Sequence, residues 1–251
     1  MNQRAENMLF TTQRGYTRPT EGTEYMRIKR NIGYWTKEKL QALSPEELEE
    51  WRIANRIGPL PDRYGQIVPW FNPDAIDWLI DYLPKNKGLK VLDFGCGGTT
   101  IFTSNYTDNM ISIDHPTTEW FDDTTSEGVC ACECYCVSPA RCGRIRTDKI
   151  KLWMSVVNPE YNLDIRLRTG ESYYSCDEFE DNYFDLIYID GEYRKQTFIN
   201  SLSKLKSGGW IFIDNVPDQI KFDQEMINAA EGWEGFKSTK EGPGTWWFQK
   251  P

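Results

Sequence analysis

The sequence predicts an α/β protein: a doubly wound, mostly parallel seven-stranded sheet with an antiparallel C-terminal hairpin, plus a helical N-terminal extension. Three observations carry this expectation. An apolar run rising from Leu89 ends in Asp93-Phe94-Gly95-Cys96-Gly97-Gly98, the form of a buried strand followed by a glycine turn that brings bare backbone close to a ligand. Residues 183–191, a helical stretch, Ser207-Gly208-Gly209 and residues 210–213 then follow as strand, helix, glycine pair and strand, the order of a βαβ unit. Finally, Phe236-Lys237-Ser238 and residues 245–249 are joined by Glu241-Gly242-Pro243-Gly244, as in a hairpin.

With 251 residues, 39% hydrophobic and 14% aromatic, the chain can bury a full core. A formal charge of −9 argues against broad binding to phosphate backbones, which relies on Lys and Arg, and leaves room for a local basic patch. There is no apolar run of about 18 residues to span a bilayer, and Met1-Asn2-Gln3-Arg4-Ala5-Glu6 lacks the apolar core of a secretion signal. The expectation is a cytoplasmic protein with no membrane partner.

Two units are expected, an N-terminal extension over 1–60 and a domain over 61–251 with a Cys-rich insert at about 124–147. The extension is slightly basic, with ten Lys/Arg against eight Asp/Glu, and 11–24 reads as a loop containing Gly15, Pro19 and Gly22. Ser44-Pro45-Glu46-Glu47 starts a helix: Ser44 can cap it, Pro45 suits the first turn and Glu47 completes a capping box. That helix should reach about Arg56, and a packing arm is the favoured role. A second helix, from Asp74 to about Leu83 with Asn72 or Asp74 as cap, places Ile76, Leu79, Ile80 and Leu83 on one face. After the glycine turn come a short helix over 99–106, a buried strand over 110–113 ending at Asp114, and a third strand over 163–168 followed by Gly170-Glu171-Ser172. A fourth strand delivers Asp190, and a fifth delivers Asp214-Asn215, to the carboxyl ends where doubly wound sheets bind ligands. A further helical stretch is expected over 218–235.

Cys130, Cys132, Cys134, Cys136 and Cys142 place five of the seven cysteines within thirteen positions. On an extended segment the alternating four face one side. Bound Zn²⁺, free thiols and disulfides all remain open, although structural zinc sites favour C-x₂-C pairs and a reducing compartment disfavours disulfides. Arg141, Arg144, Arg146, Lys149 and Lys151 follow as a solvated helix face or a contact for an anionic partner.

The segment Asp93-Phe94-Gly95-Cys96-Gly97-Gly98 resembles motif I of the class I S-adenosylmethionine-dependent methyltransferases, and the resemblance extends through the ordered elements of 69–251. It departs from the G-x-G-x-x-G of dinucleotide-binding folds. What it implies is a cofactor, S-adenosyl-L-methionine, with Asp93, Phe94, Gly95 and Gly97 at its amino-acid end. Asp114, seventeen positions after Gly97, would take the ribose hydroxyls, Glu171 the adenine, and Asp190 would lie beside the transferred methyl. Ser112-Ile113-Asp114-His115-Pro116 with Glu119-Trp120-Phe121 resembles a subgroup in which an acid-His pair precedes an aromatic-rich helix. His115, the single histidine, is then a candidate general base beside Asp190, with packing against adenosine as its other reading.

Asp190 with Asp214 and Asn215 resembles the cation-dependent O-methyltransferases of the catechol and caffeoyl type, which implies a possible Mg²⁺ on those three residues. Metal-free relatives that use the same side chains for loop hydrogen bonds are the alternative. The turn Asp190-Gly191-Glu192-Tyr193 lacks the N/D-P-P-Y/F of nucleobase amino-methylating enzymes, so a small-molecule or glycan hydroxyl is the expected acceptor and nucleic acid is disfavoured. RNA or protein methylation, supported by the basic 141–151 stretch, is the runner-up. A non-catalytic cofactor-binding assembly protein and a dinucleotide-dependent oxidoreductase are the rivals from other classes.

Overall fold

A computed structural model describes residues 36–54, 67–107, 109–115, 143–161, 164–216, 223–238 and 244–251. The expected loop over 11–24, the aromatic-rich segment at 119–121, the five clustered cysteines and the hairpin turn at 241–243 lie outside the described residues.

Seven strands form one sheet: β1 (Lys90–Phe94), β2 (Asn109–Asp114), β3 (Asp164–Leu167), β4 (Phe184–Ile189), β5 (Leu205–Val216), β6 (Glu234–Lys237) and β7 (Gly244–Gln249). Their order is β3-β2-β1-β4-β5-β7-β6. The first five run parallel, and β7 is antiparallel to both β5 and β6. Strand order reverses at β1, which has β2 on one side and β4 on the other; the carboxyl end of such a strand is where doubly wound sheets bind ligands.

Helices cover both faces. Side chains alternate along a strand, and in β1 Val91 packs with one layer while Leu92 and Phe94 pack with the other. On the first face lie α3 (Pro73–Tyr82), α4 (Gly98–Thr103) and α5 (Gly143–Val157). Here Ile76, Leu79 and Leu83 are buried against Val91, Tyr188 and Phe212, on the face read from sequence; Ile80 is partly buried. Asn72 is the N-cap of α3, but its side chain does not cap: its Nδ2 donates to Ser238 Oγ at 2.7 Å. On the second face, α6 (Glu171–Tyr174), α7 (Arg194–Ser201) and α8 (Gln224–Ala229) contribute Tyr173, Phe198 and Met226 to the larger core.

The described part of the N-terminal arm contains α1 (Lys37–Gln41) and α2 (Pro45–Ala54). The capping box forms as expected: the Glu47 N–H donates to Ser44 Oγ at 3.2 Å, and the Ser44 N–H donates to Glu47 Oε2 at 2.9 Å. Leu40 and Trp51 are fully buried in a third cluster with Cys96 of the glycine turn, Ile101 of α4 and Trp153 of α5. Trp51 stacks on Trp153 with ring centroids 6.5 Å apart. The arm therefore packs beside the glycine turn.

Two expectations are corrected. The helix expected over 218–235 is described only as α8, because the turn containing Gly232 at φ +81° ends it and residues 234–237 form β6. Ser207-Gly208-Gly209 do not terminate a helix; they lie inside β5, where the register shifts. A Cβ on Gly209 would sit 3.0 Å from the Asp185 carbonyl oxygen, so only glycine lets β5 lie this close to β4.

Candidate active site at the carboxyl crest of the sheet

The register aligns the strand tips. Phe94 pairs with Ile113 of β2 and with Ile189 of β4, and Ile189 pairs with Ile213 of β5. One position further on, Asp114, Gly95, Asp190 and Asp214 occupy one row across four adjacent strands. Two hydrogen bonds carry the ladder into this row, from Gly95 N to Ile113 O at 2.9 Å and from Asp190 N to Phe94 O at 2.8 Å. At the centre a side chain is excluded: Gly95 has φ +115°, and a Cβ there would lie 2.8 Å from the Asp190 carbonyl.

The glycine turn is held from beneath. Asp93 is fully buried, and its Oδ2 accepts hydrogen bonds from Thr100 Oγ1 at 2.6 Å and Ser112 Oγ at 2.9 Å. Thr100 Oγ1 in turn accepts from Gly97 N at 3.0 Å, so Asp93 reaches the turn through a hydroxyl. At Gly97 there is no clash: the atom nearest to an added Cβ, the Gly95 carbonyl oxygen, would be in ordinary contact at 3.8 Å. Asp114 is also buried; Oδ1 accepts from the His115 backbone N–H at 3.0 Å and Oδ2 from Thr147 Oγ1 at a long 3.4 Å.

Asp190 Oδ1 is bonded to Arg194, whereas the His115 ring packs among tyrosines. His115 is buried beside an aromatic group on the second face, its ring 6.0 Å from Tyr173 and 6.2 Å from Tyr193. Tyr173 also lies 5.9 Å from Phe94, and its hydroxyl accepts from the Glu192 N–H at 3.1 Å. That hydroxyl fills the space above Gly191, where a Cβ would be 1.8 Å from it. Tyr193 adopts φ +48°, a left-handed conformation that is strained for a bulky residue, and packs edge-on to Tyr174. Glu171 is exposed at the start of α6, just past the end of β3.

The β4 and β5 tips are tied by a cation. Arg194 Nε donates to Gly191 O at 2.9 Å, Nη1 to Asp214 O at 3.2 Å, and Nη2 to Asp190 O at 3.3 Å and Asp190 Oδ1 at 3.2 Å. Asp214 is buried, accepts from Thr245 Oγ1 at 2.6 Å and from the Asn215 side-chain amide, and burial raises its pKa above the usual carboxylate value. Asn215 is held in the left-handed region at φ +63°. The three residues expected to hold Mg²⁺ are thus bonded to a guanidinium, a hydroxyl and one another. Among the described residues no three His, Cys, Asp or Glu side chains converge on a metal position; neither the Mg²⁺ nor the Zn²⁺ expectation gains support, and the cysteines lie outside the described residues. In the basic stretch, Lys149 is buried on α5 and Lys151 is exposed. No helix among the described residues is long and apolar enough to cross a membrane.

Sequence reading missed Thr100, Ser112, Thr147, Tyr173, Tyr193 and Arg194. Two signals were present: Thr100 stands three after Gly97, a capping spacing, and Arg194 stands four after Asp190, an ion-pair spacing.

No family model matches the chain, and no curated protein matches it. Solved structures of similar fold include a Staphylococcus aureus protein described as a caffeoyl-CoA O-methyltransferase, 17% identical, with 84% of this chain and 95% of that one covered and a TM-score of 0.46. Precorrin 8w decarboxylase from Methanobacterium thermoautotrophicum is 14% identical over 73% of this chain and 94% of that one, with a TM-score of 0.44. The C-terminal domain of precorrin-6Y C5,15-methyltransferase from Rhodobacter capsulatus is 11% identical over 71% and 88%, also with a TM-score of 0.44. These are likenesses of fold at low identity.

Proposed function

We propose that the chain is an S-adenosylmethionine-dependent methyltransferase acting on an oxygen of a small molecule or carbohydrate. The observation that carries this reading is the single row of Asp114, Gly95, Asp190 and Asp214 at the point where strand order reverses. Its centre is bare backbone, and its flanks are carboxylates.

The residues fit the cofactor. The glycines of the turn let the amino-acid end lie against backbone, with Asp93 fixing the turn through Thr100. Asp114 takes the ribose, whose hydroxyls replace the long bond from Thr147. Phe94 lines the second face with Tyr173, and Glu171, at the far end of the row, is the acid assigned to the adenine. Bound there, S-adenosylmethionine supplies a methyl group on a positively charged sulfur. Transfer is an in-line displacement, so the protein's work is positioning and handling one proton. Asp190, oriented by Arg194, holds the acceptor hydroxyl and takes its proton as the oxygen-carbon bond forms. His115, among tyrosines, packs against the adenosine side and is the less suited base.

Supplying the purified chain with cofactor tritiated in the methyl group tests this reading, with cell extracts fractionated into small molecules, glycans, RNA and protein as acceptors. Label is expected in the small-molecule or glycan fraction and lost in Asp190→Ala. Label confined to RNA or protein would replace the acceptor class, and no label in any fraction would remove the catalytic reading.

A further inference from the structure

A divalent cation held between strand tips would need oxygen ligands turned toward one point; Mg²⁺ takes near-octahedral oxygens at about 2.0–2.1 Å. At the tips of β4 and β5 the oxygens are instead turned toward Arg194. Its planar fork carries five N–H donors in fixed directions. Nε reaches the Gly191 carbonyl, Nη1 the Asp214 carbonyl one strand away, and Nη2 both the carbonyl and the carboxylate of Asp190. The Asp214 carboxylate is committed as well, accepting from Thr245 Oγ1 and from the Asn215 Nδ2. The guanidinium is itself largely enclosed, with 12% of its side chain exposed. A second, divalent positive charge at the same carbonyls would meet it with like charge.

We propose that the Arg194 guanidinium stands where a divalent cation of an O-methyltransferase site would, so that a built-in organic cation, and no metal, orients Asp190 and ties the β4 and β5 tips. The position of the cation follows from the hydrogen bonds alone; its link to a methyl acceptor rests on the methyltransferase reading above. Arg194 is a positioning residue, acting through Asp190. One consequence concerns substrate class. A metal can grip two adjacent oxygens of an acceptor at once, whereas this guanidinium has its fork directed at protein oxygens. The acceptor then needs no vicinal pair of hydroxyls and is recognised at one hydroxyl by Asp190.

The test uses Mn²⁺ as probe, followed by electron paramagnetic resonance on the full chain, for wild type, Asp190→Asn, Arg194→Gln and the double variant Arg194→Gln/Asp190→Asn. Any Mn²⁺ held elsewhere, as by the cysteine cluster, is the same in Asp190→Asn and subtracts out. The expected result is no Asp190-dependent Mn²⁺ binding by wild type at millimolar concentration. In folded Arg194→Gln, Mn²⁺ binding at least ten-fold tighter than wild type is expected, and the double variant should lose it. Stoichiometric Mn²⁺ on wild type that Asp190→Asn abolishes would overturn the proposal, as would a folded Arg194→Gln that binds no more tightly than wild type. Should circular dichroism show Arg194→Gln unfolded, the wild-type and Asp190→Asn pair decides alone. Titrating S-adenosylhomocysteine into the same samples separates the two readings, because its failure to bind sinks the methyltransferase assignment and leaves the cation result standing.

Discussion

In the β1–β2 half of the crest, Asp93 and Asp114 accept hydrogen bonds from Thr100, Ser112 and Thr147, all neutral hydroxyls, whereas in the β4–β5 half Asp190 is paired with the Arg194 guanidinium. Carboxylates held by hydroxyls present acceptor oxygens of the kind that the hydroxyl groups of a nucleoside need. In the second half the Asp190–Arg194 bond is charge-assisted, roughly twice as strong as a neutral one. The two halves also differ in cover: the N-terminal arm packs beside the glycine turn, through Leu40 and Trp51 against Cys96 and Trp153. Gly95 stands where the halves meet.

The largest effect is expected at that cover. Trp51→Ala removes a fully buried indole stacked on Trp153 and should cost about 3–5 kcal/mol in urea unfolding; a loss below about 1 kcal/mol would mean that the arm does not dock on this half. Next is the junction. Gly95→Ala combines a positive φ with a clash against Asp190 backbone and should cost about 3 kcal/mol. Gly97→Ala places its Cβ in ordinary contact with the Gly95 carbonyl oxygen, with no clash, and should leave stability within about 0.5 kcal/mol while weakening S-adenosylhomocysteine binding. Equal stability losses at the two glycines would erase the distinction between a structural and a ligand-facing turn residue.

Asp114→Ala should weaken cofactor binding by about 1–3 kcal/mol through lost charge-assisted hydrogen bonds, and calorimetry giving the wild-type affinity would take Asp114 out of the site. The smallest effect concerns Asp214, whose pKa is raised chiefly by burial. A carboxyl whose native pKa lies above its unfolded value binds its proton more tightly when folded, so its contribution is fully present below the unfolded pKa and is lost as pH rises through the native one. Wild type should therefore gain stability relative to Asp214→Asn as pH falls from 7 toward about 4. Parallel pH profiles would show that burial does not perturb this group.

The strands and their succession along the chain were legible because apolar runs, glycine turns and terminal carboxylates are local features. Asp93, Asp114, Asp190 and Asp214 each stand at a strand end in the sequence, and the register then aligns three of them with Gly95. The fully buried Asp93 shows the limit of that reading, since a carboxylate sealed by Thr100 and Ser112 supports the turn from below. Arg194 was not legible as the cation between β4 and β5, because its Nη1 bond to the Asp214 carbonyl joins residues twenty positions apart through the sheet. Tyr173 was hidden for the same reason: its place over Gly191 depends on how α6 returns to the crest. The helix expected over 218–235 overran because Gly232, at φ +81°, turns the chain and residues 234–237 join the sheet as β6.

The central claim is that a sulfonium nucleoside binds at the row formed by Asp114, Gly95 and Asp190. Isothermal calorimetry of the full chain with S-adenosylhomocysteine tests it most directly. The account predicts one site per chain, with affinity reduced in Asp114→Ala and in Gly97→Ala. Heats indistinguishable from dilution up to millimolar ligand, from folded protein, would contradict it.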